Sequence, residues 1–327
     1  MAVEAATREL RANEALREAL FQELERDESV CVFGEDVGVY GGLYRVTLGL
    51  RERFGEERVR DTPISEGGMV GLAVGLAQVG MRPVVEVMYM DFMGLAMDPV
   101  VTHMGTIPYI WDQDLPMVLR VQGGSGGSSP HHAKTLEAWF CHVPDVVVVA
   151  PATPHDHKGL LAAAIRDPRP VIFCESRHVY GQKGPVPEGE LVEEIGRAAV
   201  RRPGTDVTLV SWGRMLHRCL EAAEALEGRA SAEVVDLRTL VPLDLDTVLE
   251  SVGRTGRCLI VHEAWTRMGY GAEVAARVAE SAFEFLDAPV SRLGAVDRPL
   301  PFSPVYLDHA IPTSAAIEER ALALLGA

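Results

Sequence analysis

The sequence predicts an α/β protein built from two doubly wound domains. Three observations predict this class: a length of 327 residues, an alternation of short aliphatic runs with amphipathic ones, and a Gly- and Pro-rich interruption of that alternation after Tyr180. A chain of this length usually forms two domains of about 150 residues, each with its own core. We therefore expect a first domain over 1–180, a linker over 181–205 and a second domain over 206–327.

The predicted strands of the first domain are almost continuous aliphatic runs. Such runs are typical of strands buried on both faces of a parallel sheet, whereas the crossover helices show a 3.6-residue period. The strands are expected at 31–36, 82–89, 117–123, 146–152 and 170–176. The helices are expected at 12–27, 66–79 and 155–166. Ligands of such sheets bind beyond the carboxyl ends of the strands, so the loops there are the candidate sites.

The same alternation restarts after the linker and predicts a second, smaller sheet domain. Its strands are expected at 206–212, 232–242, 257–264 and 290–295. Its helices are expected at 214–227, from Asp244 onward and at 271–285.

The composition excludes several functional classes. With 47 acidic against 31 basic residues the formal charge is −16, which disfavours nucleic acids and anionic membranes as partners. The five cysteines are scattered and form no CxxC motif, so we expect reduced thiols. The N-terminus has no signal-peptide pattern and no apolar run is long enough to span a membrane. We expect a cytoplasmic protein, or a mitochondrial matrix protein if a transit peptide was removed.

Two acidic turns follow buried strands. Glu35 lies in the turn 34–38 and Glu66 opens the helix 66–79. A turn and a helix cap explain both acids without any function, since Ser65 is a good N-cap residue and Glu66 suits the helix dipole. Capping leaves the many small residues of this helix unexplained, because each Gly costs roughly 1 kcal/mol of helix propensity. A closely packed partner would explain them, so we expect a subunit contact at this helix.

A Gly- and Ser-rich segment over 123–132, here called the histidine loop, ends in His131 and His132. Its glycines could cradle a phosphate, but it lacks both GxGxxG and the P-loop lysine. Two histidines at the end of such a loop suit proton transfer or anion binding. Zinc is the alternative, although the spacings to the other histidines fit no ligand signature. Those histidines are His142, His155 and His157.

These segments and several longer strings resemble a known family. The strings are GEDVG at 34–38, DTPISE at 61–66, LEAWF at 136–140, KGLLAAAIRD at 158–167, LRTLVPLD at 237–244, VHEA at 261–264 and FLDAP at 285–289. In them the chain resembles the beta subunit of the thiamine-diphosphate-dependent decarboxylase of 2-oxo acid dehydrogenase complexes, a group acting on pyruvate, branched-chain 2-oxo acids or acetoin. The resemblance runs from about residue 11 to the C-terminus. It implies a transketolase-like pyrimidine-binding domain followed by a transketolase C-terminal-like domain.

The resemblance also implies an activity and roles for the site residues. The activity is oxidative decarboxylation of a 2-oxo acid, pyruvate-like in preference, with reductive acylation of a lipoyl domain. By similarity, Glu66 hydrogen-bonds the aminopyrimidine ring of thiamine diphosphate, and Glu35 and Met88 lie beside that ring. Phe92 is expected to stack on it, although Phe92 taken alone is more typical of a core residue. His132, with His131 beside it, is expected to donate protons during acyl transfer to a lipoyl arm.

Further contacts are implied by the same resemblance. A monovalent cation, potassium in the family, is expected on backbone oxygens. The matching positions are Met117, Ala164, Ile165, Asp167 and Arg169. Asp287 matches a position that contacts the subunit-binding domain of the acyltransferase core.

One absence and two departures qualify the resemblance. The chain contains no GDG motif, which in this superfamily holds the Mg²⁺ of the cofactor's diphosphate. An alpha subunit is therefore expected to supply it, in an assembly of two alpha and two beta subunits. The family usually has His-Ser-Gln where this chain has His132-Ala133-Lys134, and the histidine loop is one residue short. A self-sufficient transketolase-like enzyme and a non-catalytic assembly subunit remain as alternatives.

Overall fold

The structure, a computed structural model, describes residues 6–126 and 129–326. The chain divides into two compact units. The first contains the residues up to Gln122 together with Phe140–Ile195, and the second contains Gly123–Trp139 together with the residues from Gly196 onward. Both units are α/β, which confirms the predicted class. The sequence did not predict that Gly123–Trp139 belongs to the second unit.

The first unit contains a parallel sheet with helices as crossovers. Its elements and the short helix that follows β5 are, in chain order, β1 (Thr7–Arg11), α1 (Ala12–Arg26), β2 (Val30–Gly34), α2 (Leu50–Phe54), β3 (Val59–Asp61), α3 (Glu66–Gln78), β4 (Arg82–Val87), a 3-10 helix (Met90–Leu95), a π-helix (Pro99–Met104), α4 (Ile107–Trp111), β5 (Val118–Gly123), α5 (Glu137–Cys141), β6 (Val147–Val149), α6 (Pro154–Arg166), β7 (Val171–Ser176) and β8 (Lys183–Pro187). Six of these strands lie in the order β6-β7-β5-β4-β2-β3. The pairs β2/β3, β2/β4, β4/β5 and β6/β7 run parallel.

The packing of α1 on α6 closes one face of this unit. In α1 the buried residues recur at helical spacing, and Leu16, Leu20 and Leu24 belong to the same core as Val84 and Phe173. Burial of such a stripe against the sheet is what stabilises a helix of this length. The helices at 12–27, 66–79 and 155–166 were therefore predicted to within one residue at each end.

The second unit contains a smaller sheet. Its elements are β9 (Ala199–Arg202), β10 (Val207–Ser211), α7 (Arg214–Ala225), β11 (Ala232–Asp236), β12 (Thr239–Val241), α8 (Leu245–Thr255), β13 (Cys258–Trp265), α9 (Gly271–Ser281), a 3-10 helix (Phe283–Phe285), β14 (Ser291–Ala295), α10 (Pro304–Leu307) and α11 (Ser314–Leu325). Five strands lie in the order β14-β13-β10-β11-β9. β13 pairs parallel with β10 and β14, and β10 pairs parallel with β11, whereas the edge strand β9 is antiparallel.

Several predicted boundaries differ from the structure. The strand expected at 232–242 is broken between β11 and β12, because Arg238 adopts a left-handed conformation with φ of 60°. The helix expected at 271–285 ends at Ser281 and a 3-10 turn follows. The segment 181–205, expected to be a linker, carries β8 and β9. β8 pairs antiparallel with β1, so both strands are stabilised by a pairing across the chain that no local pattern reveals.

The five cysteines are free thiols, and all except Cys141 are buried. Burial raises the pKa of Cys219 and Cys258 to about 12, so these thiols stay protonated and unreactive. None of the helices within 6–126 and 129–326 has the length and apolar character needed to span a membrane.

Candidate active site

The first group of candidate site residues is a pair of carboxylates, Glu35 and Glu66, in the first unit. Glu35 directly follows β2 and Glu66 is the first residue of α3. The end of β2 approaches β4 so closely that a Cβ on Gly34 would lie 2.5 Å from the carbonyl oxygen of Glu86. Thr62 N–H bonds the carbonyl of Gly34 at 2.9 Å, which holds the segment before α3 against the same point. The fold thus brings two acids from different loops to one edge of the sheet.

The electrostatics of this site favour the protonated form of Glu35. Glu35 is 9% exposed and Glu66 is 4% exposed. Burial raises the pKa of Glu35, and the nearby carboxylates of Glu66 and Asp36 raise it further. The Oε1 atom of Glu35 is buried and has no hydrogen-bond partner among residues 6–126 and 129–326. An unpaired buried oxygen is costly, so the pair is suited to a ligand that exchanges hydrogen bonds with it.

The start of α3 contains several glycines and has no side-chain cap. Ser65 occupies the N-cap position but, contrary to the sequence prediction, its hydroxyl makes no capping hydrogen bond. A Cβ on Gly68 would lie 2.8 Å from Ser65 Oγ, so a larger residue there would displace the Ser65 hydroxyl. Gly71 and Gly75 face open space, since a Cβ on either would meet nothing within 4 Å. No residue in the described part of the chain therefore packs close enough to require glycine at these two positions.

Met88 and Phe92 follow β4 in the same unit as the carboxylate pair. Both are half-buried. The ring of Phe92 meets that of Tyr89 edge-on, with centroids 5.8 Å apart and planes at 70°. The Phe92 ring is therefore not fully buried in the core.

The histidine loop lies in the second unit. Gly124 and Gly126 have φ values of +110° and +81°, a conformation that favours glycine. Residues 127 and 128 of this loop lie outside the described residues. His131 is exposed and its Nδ1 lies 2.9 Å from Ser129 Oγ, whereas His132 is half-buried. The predicted site residues thus fall in two units, with Glu35, Glu66, Met88 and Phe92 in the first and both histidines in the second.

A cluster that the sequence did not predict lies at the base of the histidine loop. Ser125 N–H donates to Oε1 of Glu263 at 2.9 Å, and the Ser125 hydroxyl donates to the same oxygen. Arg214 Nη1 donates to Ser125 Oγ at 3.0 Å and to Glu263 Oε1 at 3.2 Å. We call Ser125, Arg214 and Glu263 the loop anchor. Glu263 falls within the VHEA string, but nothing local in the sequence pairs it with Ser125.

Glu137, the first residue of α5, is a second buried acid in this region. Burial raises its pKa to about 7, the Glu263 carboxylate contributes in the same direction, and a hydrogen bond from the Trp212 indole opposes the shift. Glu137 is therefore part protonated near neutral pH.

Replacement of Glu137 by Gln should change the pH dependence of stability. A folded-state pKa of about 7 against the ordinary 4.5 means that stability is complete below about pH 4.5 and falls by roughly 3 kcal/mol as pH rises through 7. Glu137→Gln keeps the shape and removes the charge. We expect its free energy of unfolding to exceed the parent's by about 2–3 kcal/mol at pH 8 and to match it at pH 4, in urea titrations. The exposed Glu227→Gln is the control, and an equal response of both variants would contradict the assignment.

The expected cation ligands have other hydrogen bonds in the structure. The carbonyl oxygen of Met117 accepts from Val171 N–H at 2.9 Å. Arg82 Nη1 donates to the carbonyl oxygens of Ile165 at 2.8 Å and Asp167 at 3.3 Å. A carbonyl has a second lone pair, so the cation site over these residues, Ala164 and Arg169 stays a prediction. Within the described ranges no cluster of three or more His, Cys, Asp or Glu could hold a metal ion.

Asp287 borders a groove of about 850 Å³ in the second unit. The alanine-rich face of α9 lines this groove, together with Phe283, Leu286 and Arg292. Phe283 is 77% exposed. The Asp287 carboxylate is also largely exposed and lies 3.2 Å from Arg257 Nη1. An exposed acid beside an apolar groove is typical of a docking surface.

A buried ionic network in the first unit was also missed. Arg120 is fully buried and binds Glu86 Oε2 at 2.6 Å and both oxygens of Glu175 at 2.7 and 2.8 Å. The Tyr180 hydroxyl donates to Glu175. Burial raises the pKa of Glu86, Arg120 opposes this shift, and the nearby Glu175 carboxylate adds to it. The sequence did contain a signal for this network, because charged residues interrupt the aliphatic strand runs. A charge inside a buried strand is expected to have a partner of opposite charge.

The comparisons with known proteins define the class of this chain. The family described as transketolase, pyrimidine binding domain, matches residues 8–183, and the transketolase C-terminal domain matches residues 196–317. Among solved structures, a split-gene transketolase described as an inactive beta4 tetramer superposes with a TM-score of 0.80 at 24% identity, over 97% of this chain and 98% of that one. A transketolase from Leishmania mexicana gives 0.73 at 18%, over 99% of this chain and 47% of that one. These two structures bear on the fold alone, which is transketolase-like.

Two curated relatives narrow the class. The pyruvate dehydrogenase E1 component subunit beta of Bacillus subtilis is 46% identical over 297 residues, or 89% of this chain and 91% of that protein. The beta subunit of the acetoin:2,6-dichlorophenolindophenol oxidoreductase of Cupriavidus necator is 43% identical over 328 residues, or 96% and 97%. This chain therefore belongs to the transketolase-like family of pyruvate and acetoin dehydrogenase E1 beta subunits.

Proposed function

We propose that this chain is the beta subunit of a thiamine-diphosphate-dependent dehydrogenase that oxidatively decarboxylates a 2-oxo acid, with pyruvate or a close analogue as substrate, and transfers the acyl group to a lipoyl arm. The observation that carries the proposal is the buried Oε1 of Glu35 beside Glu66, which has no hydrogen-bond partner among the described residues. Membership of the family supports the same assignment.

The residues of the first unit fit the aminopyrimidine part of thiamine diphosphate. A buried carboxyl oxygen without a hydrogen-bond partner among the described residues can bind an amino or ring nitrogen, and the half-buried ring of Phe92 would stack on a planar heterocycle. Met88 would add an apolar contact beside the same ring. When bound, the cofactor supplies the electron sink for decarboxylation.

The chain's own carboxylates would hold and move the proton that this chemistry needs. Burial and the neighbouring carboxylates raise the pKa of Glu35, which favours its protonated form. Glu66, at the first turn of α3, would hydrogen-bond the pyrimidine ring nitrogen directly. His132, with His131 beside it, would donate protons to the lipoyl arm during acyl transfer.

The exposed face of α3 supports an alpha-subunit partner. Leu72, on the helix that carries the open Gly71 and Gly75, is 51% exposed, and Val79, the C-cap residue after this helix, is 76% exposed. Apolar and small residues on one exposed helix favour a closely packed protein contact. The alpha subunit would supply the diphosphate and Mg²⁺ ligands that the chain lacks in sequence.

The groove beside Asp287 supports a further partner. Its apolar lining and exposed carboxylate suit a small basic domain, and we propose that the subunit-binding domain of an acyltransferase core docks there. Loss of core binding in Asp287→Ala, with α/β assembly unchanged, would support this role, and unchanged core binding would contradict it.

A binding and turnover experiment tests the proposed function. Thiamine diphosphate with Mg²⁺ is titrated into the chain alone and into its co-expressed complex with an alpha subunit, and 2-oxo acid-dependent reduction of an artificial acceptor is then measured. We expect tight binding and turnover only in the complex. Tight binding by the chain alone would favour a self-sufficient transketolase-like enzyme. Cofactor binding without turnover on pyruvate, branched-chain 2-oxo acids or acetoin would favour a non-catalytic assembly subunit.

A further inference from the structure

The turn that carries Glu35 is bound through its backbone at several points. This turn, residues 34–39, directly follows β2 and is here called the Glu35 turn. Three of its carbonyl oxygens accept hydrogen bonds, those of Gly34, Asp36 and Val37. Their donors are, in the same order, Thr62 N–H at 2.9 Å, Gly42 N–H at 2.9 Å and the Thr47 hydroxyl at 2.7 Å. The N–H groups at the far end of the turn need a different partner, because they are donors themselves.

The side chain of Asp61 accepts two of these N–H groups. Asp61 is the last residue of β3. Its Oδ1 accepts from Gly38 N–H at 2.6 Å, and its Oδ2 accepts from Val39 N–H at 3.2 Å. Hydrogen bonds to a carboxylate are stronger than those between neutral groups. Asp61 therefore binds the far end of the Glu35 turn by its backbone, whatever side chains the turn carries.

The Asp61 carboxylate is itself held by a cation. Arg51, in α2, donates from Nη1 to Oδ2 of Asp61 at 3.2 Å. A Cβ on Gly38 would lie 2.8 Å from the same Oδ2 and 3.1 Å from Arg51 Nη1. A side chain at position 38 would therefore displace the Asp61 carboxylate. The glycine at this position is explained by the close approach of the turn to Asp61.

The residue after Asp61 attaches the same segment to α3, the helix that begins with Glu66. Thr62 N–H donates to the carbonyl of Gly34 at the near end of the Glu35 turn, and the Thr62 hydroxyl bonds Met69 Sδ at 2.8 Å. Asp61 and Thr62 thus bind both ends of the turn, and Glu66 follows four residues later. The segment that leads into one of the two acids therefore holds the turn that carries the other.

We propose that Asp61 is a positioning residue, which holds the Glu35 turn so that Glu35 lies beside Glu66 in the arrangement that decarboxylation needs. The proposal rests on the proposed function for the roles of the two acids. It needs no contact of Asp61 with substrate or cofactor. The hydrogen bonds from Gly42 and Thr47 remain when Asp61 is replaced, so the turn should loosen at one end rather than unfold.

The test uses the full chain in complex with its alpha subunit, thiamine diphosphate and Mg²⁺. The variants are Asp61→Ala and Asp61→Asn, which keeps one acceptor oxygen for the turn and serves if the first does not fold. Glu56→Gln is the matched control, because Glu56 also binds Arg51, at 2.9 Å, but is exposed and follows α2. Hydrogen exchange at the Gly38 and Val39 amides measures the contact. Turnover with a 2-oxo acid and an artificial acceptor gives kcat and KM.

In Asp61→Ala we expect both amides to exchange about tenfold faster or more, because their charge-assisted hydrogen bonds are lost. A small misplacement of a reacting group costs up to about 10²-fold, so kcat should fall about tenfold to a hundredfold, while KM changes by about twofold or less. Asp61→Asn should lie between Asp61→Ala and the parent in both measurements. Glu56→Gln should match the parent.

A double variant separates positioning from a general structural effect. In Glu66→Gln one of the two acids that Asp61 is proposed to align is already lost. Adding Asp61→Ala to it should therefore lower the remaining kcat by about twofold or less, since residues that act as a unit are not additive. A further loss as large as that of Asp61→Ala alone would mean that Asp61 acts independently of the carboxylate pair, and would overturn the proposal.

Two other results would also contradict it. Unchanged exchange at both amides in the Asp61 variants would overturn the contact, and equal values of kcat for Asp61→Ala and Glu56→Gln would overturn the positioning role. If the parent complex shows no 2-oxo acid decarboxylation, the proposed function fails and with it the effect on catalysis. The exchange rates still decide separately whether Asp61 holds the Glu35 turn.

Discussion

Replacement of Glu66 by Gln should lower decarboxylation in the reconstituted complex by about 10²–10⁴-fold, the usual range for loss of an acid-base group. Glu66 is 4% exposed and lies beside Glu35, whose Oε1 has no partner in the described ranges. The amide of Gln keeps the size and some of the hydrogen bonding but can neither take up nor release a proton at neutral pH. The loss should therefore appear in kcat rather than in folding.

The fold of Glu66→Gln should remain intact, because α3 keeps its first hydrogen bond from Met69 N–H to the carbonyl of Ser65 at 2.8 Å. Circular dichroism and thermal unfolding measure this. Glu52→Gln is the matched control, since Glu52 is also a first-turn acid, in α2, but is exposed. Turnover of Glu66→Gln at the level of Glu52→Gln would remove Glu66 from the proposed catalytic site.

Replacement of Arg120 by Met should be the most damaging change to stability. It leaves the carboxylates of Glu86 and Glu175 buried without their cation. Removal of one member of a buried ionic network costs about 3–5 kcal/mol, which is a large share of the stability of a typical domain. We expect a corresponding loss in the free energy of unfolding, or failure to accumulate as soluble protein.

Two further variants test whether the loss of stability comes from the buried network. Glu86→Gln should cost clearly less than Arg120→Met, because Arg120 retains Glu175 and the new amide can still accept from it. Arg202→Met, which breaks a surface pair with Glu227, should cost about 0–1 kcal/mol. A similar cost for Arg120→Met and Arg202→Met would mean that the buried network contributes no net stability.

Local patterns in the sequence were sufficient for most regular elements. The helices α1, α3 and α6 and the buried strands β2, β4, β5 and β7 were predicted because each buries a periodic or continuous apolar surface. Strands β1, β3, β8 and β9 were missed. They are short, partly exposed strands at sheet edges or in a two-stranded pairing, so their stability comes from partners distant in sequence.

In the candidate site, too, the residues in local patterns were predicted and those paired over long sequence distances were missed. Glu35 and Glu66 were singled out because each is an acid in a turn after a strand, and the family resemblance supplied their roles. Glu263, Arg214 and Ser125 were not singled out, because residues 125, 214 and 263 share no spacing and meet only where the strand ends of the second unit converge. Arg120 and Glu175 are likewise 55 residues apart.

The sequence by itself therefore determined the α/β class, the division into two α/β halves and the family, since these depend on local periodicity and on a resemblance that spans the chain. Only the tertiary structure decided that the histidine loop belongs to the second unit, that Ser125 hydrogen-bonds Glu263 and that Arg120 pairs with two buried carboxylates. The physical reason is that hydrogen bonds and ion pairs act over a few ångströms in space, whatever the distance along the chain.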